Sequence, residues 1–206
     1  MLIEQPPLIL HLLYPDAIWR GDKTQKKVYL TFDDGPIPEI TPWVLDLLDR
    51  YDIKATFFMV GDNVRKHPEV YQMVVGRGHS IGNHSYNHIK AIDYSAEGYM
   101  DNVDKADKQL HSPFYRPPHG LLGYKQYHRL RKKYKLVMWD VVTRDYSRRL
   151  NGPEVFGKLK KYVRNGSIIT FHDSLRAEEN MKYALPRSLD WLINQGYQFG
   201  TLDELK

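Results

Sequence analysis

The sequence predicts an α/β protein built on one parallel sheet of about seven strands. Three observations carry this. Short β-branched and aromatic runs alternate with helical stretches from about residue 28 to residue 202, and strand–helix alternation favours parallel pairing because each crossover returns the chain to the same end of the sheet. The 206 residues are 42% hydrophobic and 27% charged, with 14 Gly and 12 Pro, an ordinary globular balance that fits one domain spanning 1–206. Finally, charged and imidazole side chains fall just after the apolar runs, where open sheets and barrels alike place their sites.

The elements follow in order. Val28 to Asp33 (VYLTFD) reads as a buried strand,. A helix follows, with Thr41 as N-cap, Pro42 at the first helical position, and Trp43, Leu47 and Leu48 on one face,. Ala55 to Val60 is the second strand, and helical sequence from about Val64 to Val75 ends at Gly76 and Gly78. His79 to His84 reads as a short third strand. Ser95 caps a polar amphipathic helix to Leu110,. Phe114 to Pro117 is the fourth strand, and a helix from Tyr124 to Tyr134 leads into the fifth, Leu136 to Asp140. Pro153 opens a helix that Asn165-Gly166 closes,. Ser167 to Phe171 is the sixth strand. Glu178 to Asn194 is helical with Pro186 as a break or kink, and Gln198 to Leu202 is the last strand. Neither an internal repeat nor a linker interrupts the pattern.

Composition excludes several classes. There are 0 Cys, so a disulfide framework, a thiol nucleophile and Cys-based metal sites are ruled out,. The net charge of +5 is mild, and the basic run Arg129 to Lys135 lacks the interleaved aromatics of a nucleic-acid patch, so it reads as a solvated face and no nucleic-acid partner is expected,. No apolar run approaches the roughly 18 residues of a membrane span. The segment MLIEQPPLILHLLYP lacks a basic start and does not resemble a leader, so the chain by itself reads as cytoplasmic, although a cell-envelope role stays open,. There is no G-x-G-x-x-G or Walker A pattern to support nucleotide binding.

The polar residues at strand ends are Asp33-Asp34, His84 and His88, Arg116, Asp145, and His172-Asp173. Buried charges cost free energy unless paired or metal-bound, so a cluster of this kind points to chemistry. HSYNH holds two imidazoles four apart, which on a helical turn share one face,. Adjacent carboxylates point apart, so one of Asp33 and Asp34 could join a metal while the other stays free as a base. Two His and a carboxylate leave an open position for water, as catalytic zinc requires.

TFDDGP (31–36), HSYNH (84–88), RPPHG (116–120), RDY (144–146) and FHD (171–173) resemble the five ordered motifs of the polysaccharide deacetylases, the family 4 carbohydrate esterases. The resemblance runs from about Val28 to Leu202 and implies a distorted (β/α) barrel of about seven strands. It also implies one divalent metal, expected to be Zn²⁺, and hydrolysis of N-acetyl groups on a sugar polymer or oligomer with release of acetate. By position, Asp33 resembles the catalytic base, and Asp34, His84 and His88 the metal ligands. Arg116 resembles the arginine that holds the base, and Asp145 the acid that pairs with the catalytic histidine, His172.

The sequence departs from the family pattern in three motifs. His119 stands where Tyr is usual, at a position whose backbone N–H faces the oxyanion in the family. Val142 replaces the first Asp of the fourth motif and Tyr146 its Trp. Thr170, beside Phe171, replaces a leucine that lines the acetyl pocket. His119, Tyr146, Thr170 and Phe171 are therefore expected to shape the oxyanion and substrate pocket.

Tyr115, Tyr146 and Trp139 lie near the expected rim and could stack on sugar faces. His11, His67, His111 and His128 read as surface or cap residues, and His79 as a buried, hydrogen-bonded one. Two other readings compete: a hydrolase of another linear amide or an O-acetyl ester, and a non-catalytic glycan-binding domain. The second of these predicts a broken ligand set, and the set is intact. The sequence leaves the glycan, its length and the oligomeric state open.

Overall fold

The computed structural model describes residues 4–205; residues 1–3 and 206, the ends of the expected 1–206 domain, lie outside the described residues. The elements are α1 (Leu8–Leu13), β1 (Lys27–Asp33), α2 (Thr41–Arg50), β2 (Thr56–Met59), α3 (Gly61–Lys66), α4 (Pro68–Gly76), β3 (Ser80–Asn83), α5 (Ala96–Leu110), β4 (Phe114–Tyr115), α6 (Tyr124–Leu130), β5 (Lys135–Leu136), β6 (Val141–Val142), α7 (Gly152–Tyr162), β7 (Ile168–His172), α8 (Glu178–Asn194) and β8 (Gln198–Gly200). Every ladder is parallel, in the order β5-β4-β3-β2-β1-β7-β6. β1 is the centre: β7 runs along one side, while β2 and β8 share the other. The result is the distorted (β/α) barrel.

Closure explains why the expected fifth strand is divided into β5 and β6. Val137 N–H donates to Tyr115 O at 2.9 Å, whereas Asp140 N–H donates to Ile168 O at 3.0 Å. One continuous segment thus leaves β4 and joins β7 a few residues later, bridging the two open edges of the sheet. Unpaired edges are a liability, and a strand that serves two neighbours cannot stay regular between them.

Strand alternation sorts the side chains into two compartments. In β1, Val28, Leu30 and Phe32 face the helices, and in β7 Ile169 and Phe171 do the same. Phe32 stacks on Phe57 at 4.9 Å and on Phe171 at 6.2 Å. The opposite set fills the barrel in layers. Tyr29, Phe58, Phe114, Val137 and Ile168 pack one apolar cluster, Thr31, Thr170 and Arg116 lie above it, and Asp33 and His172 lie at the top. Gly82 is required on β3, where a Cβ would stand 2.2 Å from the Phe58 ring.

Several expectations are corrected. Thr41 is the first helical residue of α2, not its cap; Ile40 stands at the N-cap position without a side-chain hydrogen bond, and the Thr41 hydroxyl accepts from Ile37 N–H and donates to Asp173. The helix expected over 64–75 breaks at His67, where Pro68 starts α4. Pro186 does not interrupt α8. Ser95 caps α5, accepting from Gly98 N–H at 3.1 Å. His79 is buried and accepts from Ala55 N–H at 3.2 Å, and burial lowers its pKa to about 4. The basic run pairs with surface acids, Arg131 with Asp16 and Lys133 with Asp104. Among the described residues no helix is long and apolar enough to cross a membrane.

Candidate active site

The carboxyl ends of the strands converge on a cavity of about 440 Å³ lined by Asp33, Asp34, His84, His88, His119, Trp139, Val142, Tyr146, Thr170 and His172 among others. A larger one of about 1330 Å³ opens at the amino ends of the strands, beside Lys27, Asp140 and Arg164. Size does not decide between them. Among the described residues, the one trio with ligand atoms close enough to share a metal is Asp34, His84 and His88, all within 4.8 Å of one another.

Backbone geometry places this trio. Asp34 follows β1 with φ 86°, a left-handed conformation that turns its side chain away from that of Asp33. Asn63 holds the turn by donating to Asp34 O at 2.8 Å. Gly35 must lack a side chain there, since a Cβ would lie 2.0 Å from the Asp173 carboxylate. The segment 84–88 is not the helical turn that the spacing suggested. Ser85 and His88 are left-handed, at φ 63° and 55°. Asparagines pin the loop instead: Asn83 Oδ1 accepts from Ser85 N–H at 2.8 Å, and Asn102 Oδ1 from Tyr86 N–H at 2.9 Å.

The donor set fits a divalent cation. His84 Nδ1 is 2.8 Å from the Arg116 carbonyl, which only accepts, so Nδ1 carries the proton and the Nε2 lone pair faces Asp34,. Burial lowers the His84 pKa to about 4, which keeps that imidazole neutral. Asp34 Oδ1 lies 3.1 Å from His88 Nε2 and 3.8 Å from His84 Nε2, yet it is buried without a hydrogen bond of normal geometry. Burial raises the Asp34 pKa, but the imidazoles of His88, His172 and His84 outweigh it and hold the carboxyl well below the usual range. A buried acceptor facing two imidazole nitrogens is the arrangement a cation would complete.

Asp33 shares the cavity with the trio but is held by Arg116. Its Oδ1 accepts from Arg116 Nη1 at 2.6 Å. Arg116 is 1% exposed and also donates to Thr31 Oγ1, Val137 O and Met138 O. The same guanidinium therefore holds the Asp33 carboxylate and ties down the closing segment. On the far wall, Asp145 is fully buried and accepts from His172 twice, at Nδ1 and at the backbone N–H, both 2.8 Å. Burial lowers the His172 pKa, and the Asp145 carboxylate more than reverses this, leaving it at about 9. Asp173 anchors the rim by accepting from Gly35 N–H and Thr41 Oγ1.

The remaining pocket residues divide. Tyr146 sits edge-on to His172 at 4.6 Å, and Thr170 and Trp139 line the cavity. His119 is exposed, left-handed at φ 61°, with its ring 4.7 Å from that of His88. Phe171 is corrected: strand alternation turns it into the helix-side core, fully buried. Tyr115 is likewise not at the rim but faces α5, bonded to the Tyr99 hydroxyl at 2.6 Å. Sequence reasoning missed Asn63, Asn102 and Asn180. Asn180 donates to Asp145 O at 2.9 Å and Leu150 O at 3.1 Å, clamping the Asp145 loop. It also missed Ser174 and Arg176, which line the cavity just beyond FHD.

The polysaccharide deacetylase family profile matches residues 20–137. The chain is 34% identical over 196 residues to a peptidoglycan-N-acetylglucosamine deacetylase of Bacillus cereus, covering 91% of each. It is 30% identical over 202 residues to the peptidoglycan-N-acetylmuramic acid deacetylase PdaA of Bacillus subtilis, covering 92% of this chain and 75% of that one. Some curated relatives are longer, and the chain spans only 39% of their length. The solved Bc1960 peptidoglycan N-acetylglucosamine deacetylase superposes with a TM-score of 0.89 at 28% identity, over 97% of this chain and 96% of that one. By this match and by the barrel that carries its motifs, the chain belongs to the polysaccharide deacetylase family.

Proposed function

We propose that this chain is a metal-dependent glycan N-deacetylase that releases acetate from an N-acetylated sugar, with peptidoglycan as the polymer its relatives favour. The observation that carries the reading is the intact site: the Asp34–His84–His88 trio opens on one cavity with the Asp33–Arg116 pair and the Asp145–His172 pair. Fold likeness alone would not license an activity.

In this reading Asp34, His84 and His88 hold a divalent cation of the Zn²⁺ class. Such a cation, when bound, polarises an acyl oxygen and acidifies water. Asp33, oriented by Arg116, takes the proton from the attacking water. His172, kept protonated by Asp145, delivers a proton to the departing sugar nitrogen, which without it would be a poor leaving group. Tyr146 and Trp139 give the sugar apolar faces against which to rest. His119 presents its backbone N–H to the developing oxyanion. The domain acts as a single catalytic unit, and a cell-envelope location fits such a substrate.

The test is acetate release from N-acetylglucosamine oligomers, peptidoglycan and acetylated xylan, with and without exhaustive chelation. Release from an N-acetylated glycan that stops on chelation and returns with Zn²⁺ is expected. Full activity after chelation, or release confined to O-acetyl esters, would overturn the reading.

A further inference from the structure

The loop that carries Asp145 is fastened on one side by Asn180, which donates to Asp145 O at 2.9 Å, and by Arg176, whose Nε donates to Tyr146 O at 2.9 Å. Its other side is held by a residue 140 positions away in the chain. Thr143 N–H donates to Thr170 O of β7 at 3.1 Å, so the preceding N–H, that of Val142, points away from β7, and Glu4 O accepts it there at 2.8 Å,. The Glu4 carboxylate then accepts from Arg144 Nη1 at 2.7 Å and from Lys158 Nζ of α7. The Glu4 and Arg144 side chains are only 13% and 11% exposed, so their pair is far less screened by water than a surface ion pair. Burial raises the Glu4 pKa, but hydrogen bonds from Lys158 and Arg144 outweigh it and leave it at about 2, so the carboxylate is ionised at neutral pH.

Arg144 needs such a hold. Its φ of 57° is left-handed, a conformation that costs a side-chain-bearing residue about 1 kcal/mol or more. It also immediately precedes Asp145, whose oxygens serve His172 Nδ1, His172 N–H and Tyr146 N–H. A shift of the Arg144 backbone would therefore carry the Asp145 carboxylate with it. Without the Glu4 charge, Arg144 and Lys158 would be two cations directed at one neutral site, and they would repel each other. The Lys158 side chain, 26% exposed on α7, can swing into water on its flexible stem,. Arg144, more deeply buried, can do so only if the turn opens.

We propose that Glu4 is a positioning residue of the acid pair: its carboxylate, acting through Arg144, holds the left-handed turn that aims Asp145 at His172. The proposal rests on the N-deacetylase reading above, in which His172 protonates the departing nitrogen. Lys158 shares the same carboxylate but belongs to α7 rather than to the loop, so its removal breaks an ion pair of Glu4 without releasing the turn.

The experiment measures kcat and KM for acetate release, metal content and Tm for the parent, Glu4→Gln, Arg144→Gln, the double variant and Lys158→Met, with turnover assayed well below the lowest Tm. Glu4→Gln and Arg144→Gln should each lower kcat between about five- and a hundredfold, with KM and metal content at the parent level. The double variant should lose no more than the larger single loss, because both changes remove one link. Lys158→Met should keep the parent kcat. Unchanged kcat in Glu4→Gln, losses that multiply in the double variant, or an equal loss in Lys158→Met overturns the proposal. A Glu4→Gln chain that does not fold overturns it as well, since that assigns Glu4 to the fold rather than to the loop. Should the parent release no acetate, the deacetylase reading fails, and amide exchange decides the fastening by itself. The Tyr146 and Ser147 N–H groups report the turn, since they donate to Asp145 Oδ1 and Arg144 O. Faster exchange of these two in Glu4→Gln but not in Lys158→Met, with the β1 amides unchanged, supports the hold on the turn. Exchange that is unchanged, or faster throughout the chain, overturns it.

Discussion

The two ends of the barrel solve the same geometric problem with a different balance of residues. At the amino ends of β3, β7 and β8 the chain turns through Gly78, Gly166 and Gly196, all at positive φ, where glycine meets no Cβ penalty. At the carboxyl ends the left-handed positions are Asp34, Ser85, His88, His119 and Arg144, with Gly120 the one glycine. Each side-chain-bearing residue there costs about 1 kcal/mol or more. It persists because the surroundings hold it, as Asn63 holds Asp34 and Gly61 N–H holds Ser85 O. The amino end relies on glycine at three of these turns and carries left-handed side chains only at Asp52 and His111, before β2 and β4. The carboxyl end gives up local preference so that two ligands, His88 and Asp34, point inward.

That contrast predicts a separation of function from stability, and the largest effect should come from Asp33. Its carboxylate is held by Arg116 and is not one of the trio. Asp33→Asn should lower kcat on the order of 10²–10⁴-fold while metal content stays at the parent level. Metal loss in that variant would mean that Asp33 and Asp34 have exchanged roles.

The next effect is in the pH profile. His172 must carry its proton, and its pKa stands at about 9. The raised value means that the protonated form is present below pH 9 and is lost as pH rises through it, so kcat/KM should fall on the alkaline side there. Asp145→Asn removes the main opposition to the burial that lowers this pKa, so the limb should move to lower pH. An alkaline limb that does not move with Asp145 would take His172 out of the acid role.

A stability change at the other end sharpens the comparison. Gly166 has φ 76°, and a Cβ there would lie 2.7 Å from the Gly21 and Asp22 carbonyls. Gly166→Ala should cost roughly 1–3 kcal/mol, and at about 2–4 °C per kcal/mol for a chain of this length the Tm should drop by several degrees. Its kcat should match the parent. A thermal melt beside turnover checks both, and a large fall in kcat would show that the two ends are coupled.

The sequence reads differently at the two ends for the same physical reason. Apolar runs expose β1, β2 and β7, because strands buried on both faces must be continuous in hydrophobes. The motif residues Asp33, Asp34, His84, His88, Arg116, Asp145 and His172 fall at the carboxyl rim where the pattern placed them. What the pattern hid is how they get there. Left-handed residues leave no mark in hydrophobic periodicity, so HSYNH passes for a helical turn. Phe171 was misassigned because proximity to His172 in sequence says nothing of side; alternation sends Thr170 inward and Phe171 outward. The asparagine clamps were silent because an Asn is ordinary in any loop. Leu8–Leu13 was missed as a helix because it buries none of its residues and so lacks an amphipathic signature.

His119 is where the comparison meets its smallest expected effect. It has the strained backbone of the rim at φ 61°, yet its ring is exposed and is not among the ligand trio. If the strain serves to aim the backbone N–H, the side chain is replaceable. His119→Ala and His119→Tyr keep the N–H and should lose less than about tenfold in kcat/KM, below the 10²–10⁴-fold typical of a lost acid or base. The ring packs against His88 at 4.7 Å, so part of the loss in His119→Ala should appear as weaker metal retention during dialysis, and His119→Tyr should recover it by restoring a ring. The rival assignment makes the imidazole a proton carrier or a fourth ligand. A fourth ligand would close the open position that a hydrolytic metal needs. The acid and base places are also already filled, by His172 and Asp33. The deciding measurement is kcat/KM against pH for His119→Ala beside the parent. A profile of the same shape, displaced only slightly downward, supports the backbone role. A fall beyond about 10²-fold, or the disappearance of one limb, would make the imidazole a participant.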